Sequence, residues 1–331
     1  MDKQKRERIH YIDIAKGILI ICVVITHTPA FAKTYGVDGF QWLESLRPLF
    51  NSYFMPAFFC ITGFCTNFGK GSVLSFIFKK FKTLVVPNII VSLGIPFVSL
   101  AIHGNCGSWN LLQTIFDFVS TGGFWFLDAL FFATLIYRCS ALSKYRLVVS
   151  LLFLVIGCAI YYFRLPNPWN IQQALLLLPF VCMGHNLREC PLKKRHEDVM
   201  LAIFLLITMC DIIFNFPLGG IMGKISLNLF WFPLLLLQSF CGAIFIIKLS
   251  KIIEKSCVLE TIGKASLSIY IFHMYFLTKT LPIMSNITMT FLFGLAYISF
   301  ILLICVVVDN NSSLKFEIKA KQFYAASQRV L

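Results

Sequence analysis

Long apolar runs separated by short basic segments constrain the fold of this chain more than any other feature. A bilayer core is about 30 Å thick, so a helix that crosses it needs about 20 mostly apolar residues. Of the 331 residues, 58% are hydrophobic and 13% are charged, whereas soluble domains average about 45–50% and 25%. The sequence therefore predicts an all-α integral membrane protein with about ten transmembrane helices. The predicted spans lie near residues 14–31, 47–68, 83–102, 123–138, 147–163, 170–187, 199–216, 229–249, 267–284 and 287–308.

The basic residues alternate between the segments that join these spans. Of the 29 lysines and arginines, 24 fall in the N-terminal segment, every second loop and the C-terminal segment. Because basic loops stay in the cytoplasm, both termini are predicted to be cytoplasmic and the protein to lie in the cell (inner or plasma) membrane. The boundaries expected are a membrane domain over residues 1–311 and a cytoplasmic tail over 312–331.

The net charge and the cysteines could suggest other classes of protein. The net charge of +14 could indicate nucleic-acid binding, but the basic residues are placed as orientation signals. The 12 cysteines lack the spacing of metal ligands, so neither a metal nor a disulfide framework is expected. The first span also resembles a signal peptide that ends at Ala30-Phe31-Ala32. Lys16 beside its apolar core and the spans that follow favour an uncleaved helix.

The first predicted helix contains the richest set of ionisable residues, which are Asp13, Lys16 and His27. Lys16 and His27 are 11 residues apart, so on an α-helix they lie about 20° from the same direction and about 16 Å apart along the axis. Ionisable groups at membrane depth usually mark functional sites. The alternative is that Lys16 extends to the inner surface while His27 lies in the outer interface.

Other candidate side chains fall at or near the ends of later spans. Lys79 and Lys82 precede the third span, and as cations they would suit a phosphate ligand as well as an orientation signal. Trp125 and Asp128 open the fourth span; a tryptophan is typical of the interface, and the buried aspartate needs a partner. Tyr270 and His273 lie in the ninth span.

Taken together, these segments resemble membrane acyltransferase family 3, the bacterial polysaccharide and sugar O-acetyltransferases. Five motifs match in the family order over about residues 8–310. They are Asp13 with Lys16 and His27, the run from Tyr53 to Phe64, the lysines before the third span, Trp125-Phe126-Leu127, and Gly263-Lys264 through Tyr270 to His273. Phe54 stands where the family has histidine, and Thr62 where it has serine.

The resemblance implies that the protein moves an acetyl or other acyl group from acyl-CoA to a hydroxyl of a cell-envelope or exopolysaccharide sugar. It gives catalytic roles to His27, Lys16 and Asp13, with His27 as general base. It assigns binding of the CoA phosphates to Lys16, Lys79 and Lys82. The secondary candidates for the site are His273, Asp128, Trp125 and Tyr270. Acyl-CoA is then a donor substrate and not a resident cofactor; the other partners are a glycan or lipid-linked sugar and the bilayer.

Two other classes remain open from the residues alone. A transporter or flippase for a lipid-linked or small sugar would also need buried ionisable residues, but not the Lys16–His27 spacing. A membrane scaffold without catalytic function would tolerate replacement of His27, Lys16 and His273.

Overall fold

The computed structural model describes residues 9–44, 47–103, 111–214, 216, 218, 220, 228, 230–284 and 291–327. Within these residues the regular structure is helical and contains no strand. The helices are α1 His10–Thr34, α2 Gln41–Glu44, α3 Arg47–Asn51, α4 Phe54–Cys65, α5 Val73–Lys80, α6 Val86–His103, α7 Leu111–Thr121, α8 Trp125–Ser140, α9 Arg146–Tyr162, α10 Ile171–Glu189, α11 Lys194–Phe214, α12 Phe232–Ile253, α13 Cys257–Lys264, α14 Ser266–Thr280 and α15 Phe291–Ser327. A π-helical turn, Phe81–Val85, joins α5 to α6, and 3-10 turns occupy Pro168–Asn170 and Leu281–Met284.

Four stretches of the described residues are long and apolar enough to cross a bilayer. They are His10–Thr34, Ile115–Ser140, Phe232–Ile253 and Leu292–Asn310, and Leu49–Cys65 and Arg146–Tyr162 are shorter apolar helices. The all-α class and the apolar helices expected of a membrane protein are thus confirmed. The count of ten spans and the cytoplasmic termini stay predictions.

Several elements differ in detail from the predicted spans. The second span is divided between α3 and α4, with a break at Ser52 and Tyr53. Pro56 lies in the first turn of α4, where no intrahelical amide donor is required, so the helix can restart there. The short helices α7 and α13 fall outside the predicted spans, and α15 continues to Ser327 through the expected tail boundary.

The chain forms two compact units, and the division falls within α12. Unit 1 consists of the chain up to Phe50 together with the chain from Ile246 onward. In this unit α1 packs against α13, α14 and α15. A Cβ at Gly17 would collide with the Leu259 carbonyl, and one at Gly263 with the Asp13 carbonyl. The two glycines therefore allow the backbones of α1 and α13 to approach closely, as small residues do in membrane bundles.

Unit 2 extends from Asn51 to Phe245 and is built around α10. This helix packs on α4, α8 and α9, and its residues from Gln172 to Cys182 are all buried. Close approach again depends on glycine, because a Cβ at Gly63 would meet the Val181 carbonyl and one at Gly184 the Cys60 carbonyl.

Candidate active site

Helix α1 carries a group of side chains that donate hydrogen bonds to its own carbonyls just before Pro29. Thr26 Oγ1 donates to Cys22 O at 2.9 Å, and Thr28 Oγ1 donates to Val24 O at 2.7 Å. Such bonds to carbonyls one turn back compete with the helix ladder and often bend a helix. Pro29, which lacks an amide hydrogen, lies inside the same helix. His27 therefore lies between two threonines, in a part of α1 where side chains and Pro29 alter the regular backbone hydrogen bonding.

The His27 ring is held by its own helix. Nδ1 lies 2.8 Å from Val23 O, and because a carbonyl only accepts hydrogen bonds, Nδ1 must be the protonated nitrogen. In the neutral ring Nε2 is then the basic nitrogen. The hydrogen bond with Val23 fixes the orientation of the ring. The side chain is half-buried and therefore stays partly accessible.

His273 on α14 lies beside His27 in unit 1. The two ring centroids are 5.1 Å apart, with 64° between the ring planes. His273 is fully buried, and its Nδ1 donates to Ile269 O at 2.9 Å. Within the described residues its Nε2 has no hydrogen-bond partner. A buried acceptor without a partner costs about 1–3 kcal/mol, and a native structure rarely keeps one without a reason.

Tyr270 lies one turn before His273, with its ring centroid 6.0 Å from that of His273. The structure thus brings together three residues that the sequence suggested separately, His27, Tyr270 and His273. The sequence did not predict that the two histidines would be neighbours, because they are far apart in the chain and the packing of α1 on α14 has no local signal.

Lys16 and Asp13 form the other end of the same helix. Lys16 Nζ lies 3.5 Å from Asp13 Oδ1, and the Lys16 side chain is 30% exposed whereas that of Asp13 is 6% exposed. Helix α1 is uninterrupted from Lys16 to His27, so a positive group and a basic imidazole lie about 16 Å apart along one helix axis.

A cavity of about 290 Å³ lies near the C-terminal end of α1, but on another face. Pro29 and Ala32 line it from the helix, and Lys33, Asp38 and Glu44 contribute charges. Pro29 and Ala32 are turned about 200° and 140° away from His27 around the helix axis. The cavity therefore opens on the side of α1 opposite His27.

Glu260 anchors α13 to the start of α1. His10 Nδ1 lies 2.9 Å from Glu260 Oε2, and Lys264 Nζ lies 3.6 Å from the same oxygen. The hydrogen bond with His10, assisted by the charge of Lys264, holds the pKa of Glu260 below its ordinary value of 4.5. Sequence reasoning missed this contact, although Glu260 is one of only two acidic residues, with Glu254, between the predicted eighth and ninth spans.

Asp128 in unit 2 is buried and has hydrogen-bond donors on both carboxylate oxygens. Asn88 Nδ2 donates to Oδ1 at 2.6 Å, while Gly123 N and Asn170 Nδ2 donate to Oδ2 at 3.0 and 3.2 Å. Asn88 Oδ1 in turn accepts from Phe124 N at 2.8 Å. These contacts link α6, the start of α8 and the turn before α10, so the structure supplies the partners that a buried aspartate needs.

Trp125 is the first residue of α8 and is half-buried. Lys79 and Lys82 are both exposed, one in α5 and one in the π-helical turn. The lysine between them behaves differently, since Lys80 Nζ donates to Thr66 Oγ1 at 3.3 Å. Burial and the neighbouring Lys79 charge lower the pKa of Lys80 to about 8. Sequence reasoning did not single out Lys80, because an inward and an outward lysine look the same in a basic run.

Among the described residues, no group of three or more His, Cys, Asp or Glu side chains is arranged to hold a metal ion. In unit 1 the two imidazoles lie together, with the Tyr270 ring beside them. The nitrogen of a neutral imidazole that keeps its lone pair can accept a proton.

Apolar helices of membrane-spanning length, together with two imidazoles packed side by side in unit 1, are typical of an integral membrane protein. The chain matches the family model described as an acyltransferase domain, acyltransferase family 3, over residues 9–309. It belongs to this family and is a membrane acyltransferase. No curated protein and no solved structure matches the chain.

Proposed function

We propose that this protein is an O-acyltransferase that moves an acetyl or related acyl group from acyl-CoA to a hydroxyl of a cell-envelope sugar. The observation that carries the proposal is the pair of adjoining imidazoles, His27 and His273, each held by a backbone carbonyl through Nδ1. Within a family of membrane acyltransferases, this pair is the group best suited to remove a hydroxyl proton.

The reaction exchanges one bond to the acyl carbon for another. The sugar oxygen attacks the thioester carbonyl, a C–O bond forms, and the C–S bond breaks. His27 Nε2 takes the hydroxyl proton, which then passes to the departing CoA thiolate. His273 Nε2 accepts a hydrogen bond from a bound substrate or from the protonated His27 ring, so the buried acceptor gains a partner during turnover.

Lys16 supports the proposal because it places a positive charge near the start of α1, where we expect acyl-CoA to bind. CoA phosphates are multiply charged, and an ammonium group attracts them as a point charge. Its separation of about 16 Å from His27 along the axis approximates the reach of an extended pantetheine arm. Asp13 holds the ammonium group in place from one turn before it.

The test is the replacement of His27 by alanine in purified, bilayer-reconstituted protein. Transfer of labelled acetyl from acetyl-CoA to a cell-envelope glycan extract is expected to fall by roughly 10²–10⁴-fold, the usual contribution of a general base. The matched control is His196→Ala, because His196 is an exposed histidine of α11. Transfer that survives His27→Ala in a folded protein would overturn the proposal.

A further inference from the structure

The cavity beside the C-terminal end of α1 has an apolar floor and a polar rim. The floor is formed by residues that are buried in unit 1, Pro29, Ala32, Val37 and Phe40. The rim is formed by exposed residues, Lys33, Gly36, Asp38, Gln41 and Glu44. A concave apolar surface with a few polar groups at its edge is the usual form of a binding site for a small organic ligand.

The walls of the cavity are fixed by contacts within unit 1. The Phe40 ring centroid lies 5.8 Å from that of Tyr297 on α15, and the Tyr297 hydroxyl is hydrogen-bonded to Thr280 Oγ1 at 2.6 Å. Val37 N donates to Ala32 O at 2.9 Å, which closes the turn that follows α1. Because the walls are ordered without a ligand, binding costs little conformational entropy in the protein.

Two opposite charges line the cavity without pairing with each other. Lys33 and Asp38 are both exposed, and the described residues contain no ion pair between them. Asp38 Oδ1 lies 3.5 Å from Gln41 Nε2, which is too long for a strong hydrogen bond. A ligand in the cavity can therefore donate hydrogen bonds to the Asp38 carboxylate and accept them from the Lys33 ammonium group.

These groups favour a sugar as the ligand. A hydroxyl both donates and accepts hydrogen bonds, and a sugar ring carries several hydroxyls around a carbon skeleton that can pack on the apolar floor. The volume of about 290 Å³ corresponds to about ten water molecules, which suits a single sugar unit. An acyl chain would leave the charges of the rim without partners. A phosphate would be repelled, because among the described lining residues the acids Asp38 and Glu44 outnumber the base Lys33.

The position of the cavity excludes the sugar unit that reacts. Pro29 and Ala32 are turned about 200° and 140° away from His27, and a helix with its side chains is about 10–12 Å across. A sugar in the cavity therefore lies on one side of α1 while the His27 ring lies on the other. The unit bound in the cavity must differ from the unit that is acylated.

We propose that this cavity is a subsite for a non-reacting sugar unit of the acceptor glycan, with Lys33 and Asp38 on its hydroxyls and Phe40 beneath its ring. The proposal rests on the proposed function only for the choice of the acceptor glycan as the ligand.

The experiment measures glycan binding in the absence of acyl donor. The probe is a fluorescently labelled oligosaccharide fraction of the cell-envelope glycan extract, and its Kd for the bilayer-reconstituted full chain is measured by fluorescence polarisation. Lys33→Ala with Asp38→Ala should raise this Kd roughly tenfold or more, because hydrogen bonds to charged groups are lost. Both side chains are exposed, so Tm should not change. During turnover, KM for the oligosaccharides should rise by a similar factor while kcat stays within about twofold.

Lys194→Ala with Asp198→Ala is the matched control, because it removes the same two residue types from exposed positions of α11. An unchanged Kd in the Lys33→Ala, Asp38→Ala protein, an equal rise in the control, or a fall in kcat with unchanged KM would overturn the subsite.

Failure of the proposed function gives a different result. Transfer would then survive His27→Ala, whereas the tenfold rise in Kd from Lys33→Ala with Asp38→Ala would still be observed. The Kd of His27→Ala itself should equal that of the unsubstituted protein, since His27 lies outside the cavity.

Discussion

At the scale of single residues, the two imidazoles differ in what the protein provides for them. His27 is half-buried and His273 is fully buried, yet both donate through Nδ1 to the carbonyl four residues earlier. The fold therefore selects the same neutral tautomer twice and leaves Nε2 as the basic nitrogen in each ring. Only burial distinguishes them, and for this reason we propose the accessible His27 as the general base and the enclosed His273 as its support.

A pair of substitutions at His273 separates this role from simple packing. His273→Asn keeps a group that can reach the Ile269 carbonyl but removes the acceptor at the Nε2 position, and kcat is expected to fall roughly hundredfold. His273→Gln extends a carbonyl oxygen toward the Nε2 position and should retain kcat within about tenfold of wild type. The KM for acetyl-CoA should change in neither variant. Equal losses of kcat together with equal losses of Tm would indicate a packing role instead.

Glu260 gives a prediction for the pH dependence of stability. Its pKa is lowered in the folded protein, first by the hydrogen bond with His10. The unfolded chain therefore binds the extra proton more readily, so the contribution of Glu260 to stability is present above pH 4.5 and disappears as the pH falls through the lower folded value. Glu260→Gln should lower Tm at pH 7, and the difference should close below pH 4.5. A constant difference across this range would contradict the assignment.

At the scale of elements, the crossing of α1 and α13 depends on glycine. The nearest obstacles to a Cβ at Gly17 or Gly263 are backbone carbonyl atoms, which cannot move aside as a flexible side chain can. Gly263→Ala should therefore force the helices apart and reduce the free energy of unfolding by about 1–3 kcal/mol. Thermal unfolding in detergent measures the change.

Gly94 in α6 is the matched control for this substitution. No atom lies within 4 Å of a Cβ built at Gly94, so Gly94→Ala should leave stability unchanged or raise it by up to about 1 kcal/mol through helix propensity. If both substitutions had the same effect, the close approach of α1 and α13 would not be the cause.

The sequence patterns predicted the individual helices better than they predicted the contacts between helices. The long helix α1 was predictable because its sequence is a long apolar run that begins near Asp13 and Lys16, and the aligned spacing of Lys16 and His27 follows from a continuous helix. The sequence analysis missed the break at Ser52 and the short helix α13, although each has a local signal. Pro56 lies in the first turn of α4, and the Ser256 side chain accepts a hydrogen bond from Leu259 N at the start of α13. The Asn88–Asp128 contact could not be predicted, because an asparagine inside an apolar run does not indicate which helix it will contact.

At the scale of the whole molecule, the exposed cysteines give a test of the predicted topology. Cys65, Cys139, Cys190 and Cys257 are all exposed, and each lies close to a basic segment of the predicted cytoplasmic side. A membrane-impermeant maleimide should therefore leave all four unlabelled in intact cells and label them after permeabilisation. Labelling of any of the four in intact cells would contradict the ten-span orientation.

The partnership of α1 with α13 and α14 has a consequence for how the protein is made. His10 contacts Glu260 across 250 residues of chain, so the first helix to be synthesised acquires these neighbours only near the end of translation. Until then the polar and ionisable side chains of α1 lie in the bilayer or the insertion machinery without their contacts to α13 and α14. Assembly of the imidazole pair is thus a late event, so a partly synthesised chain lacks the group to which we assign proton transfer.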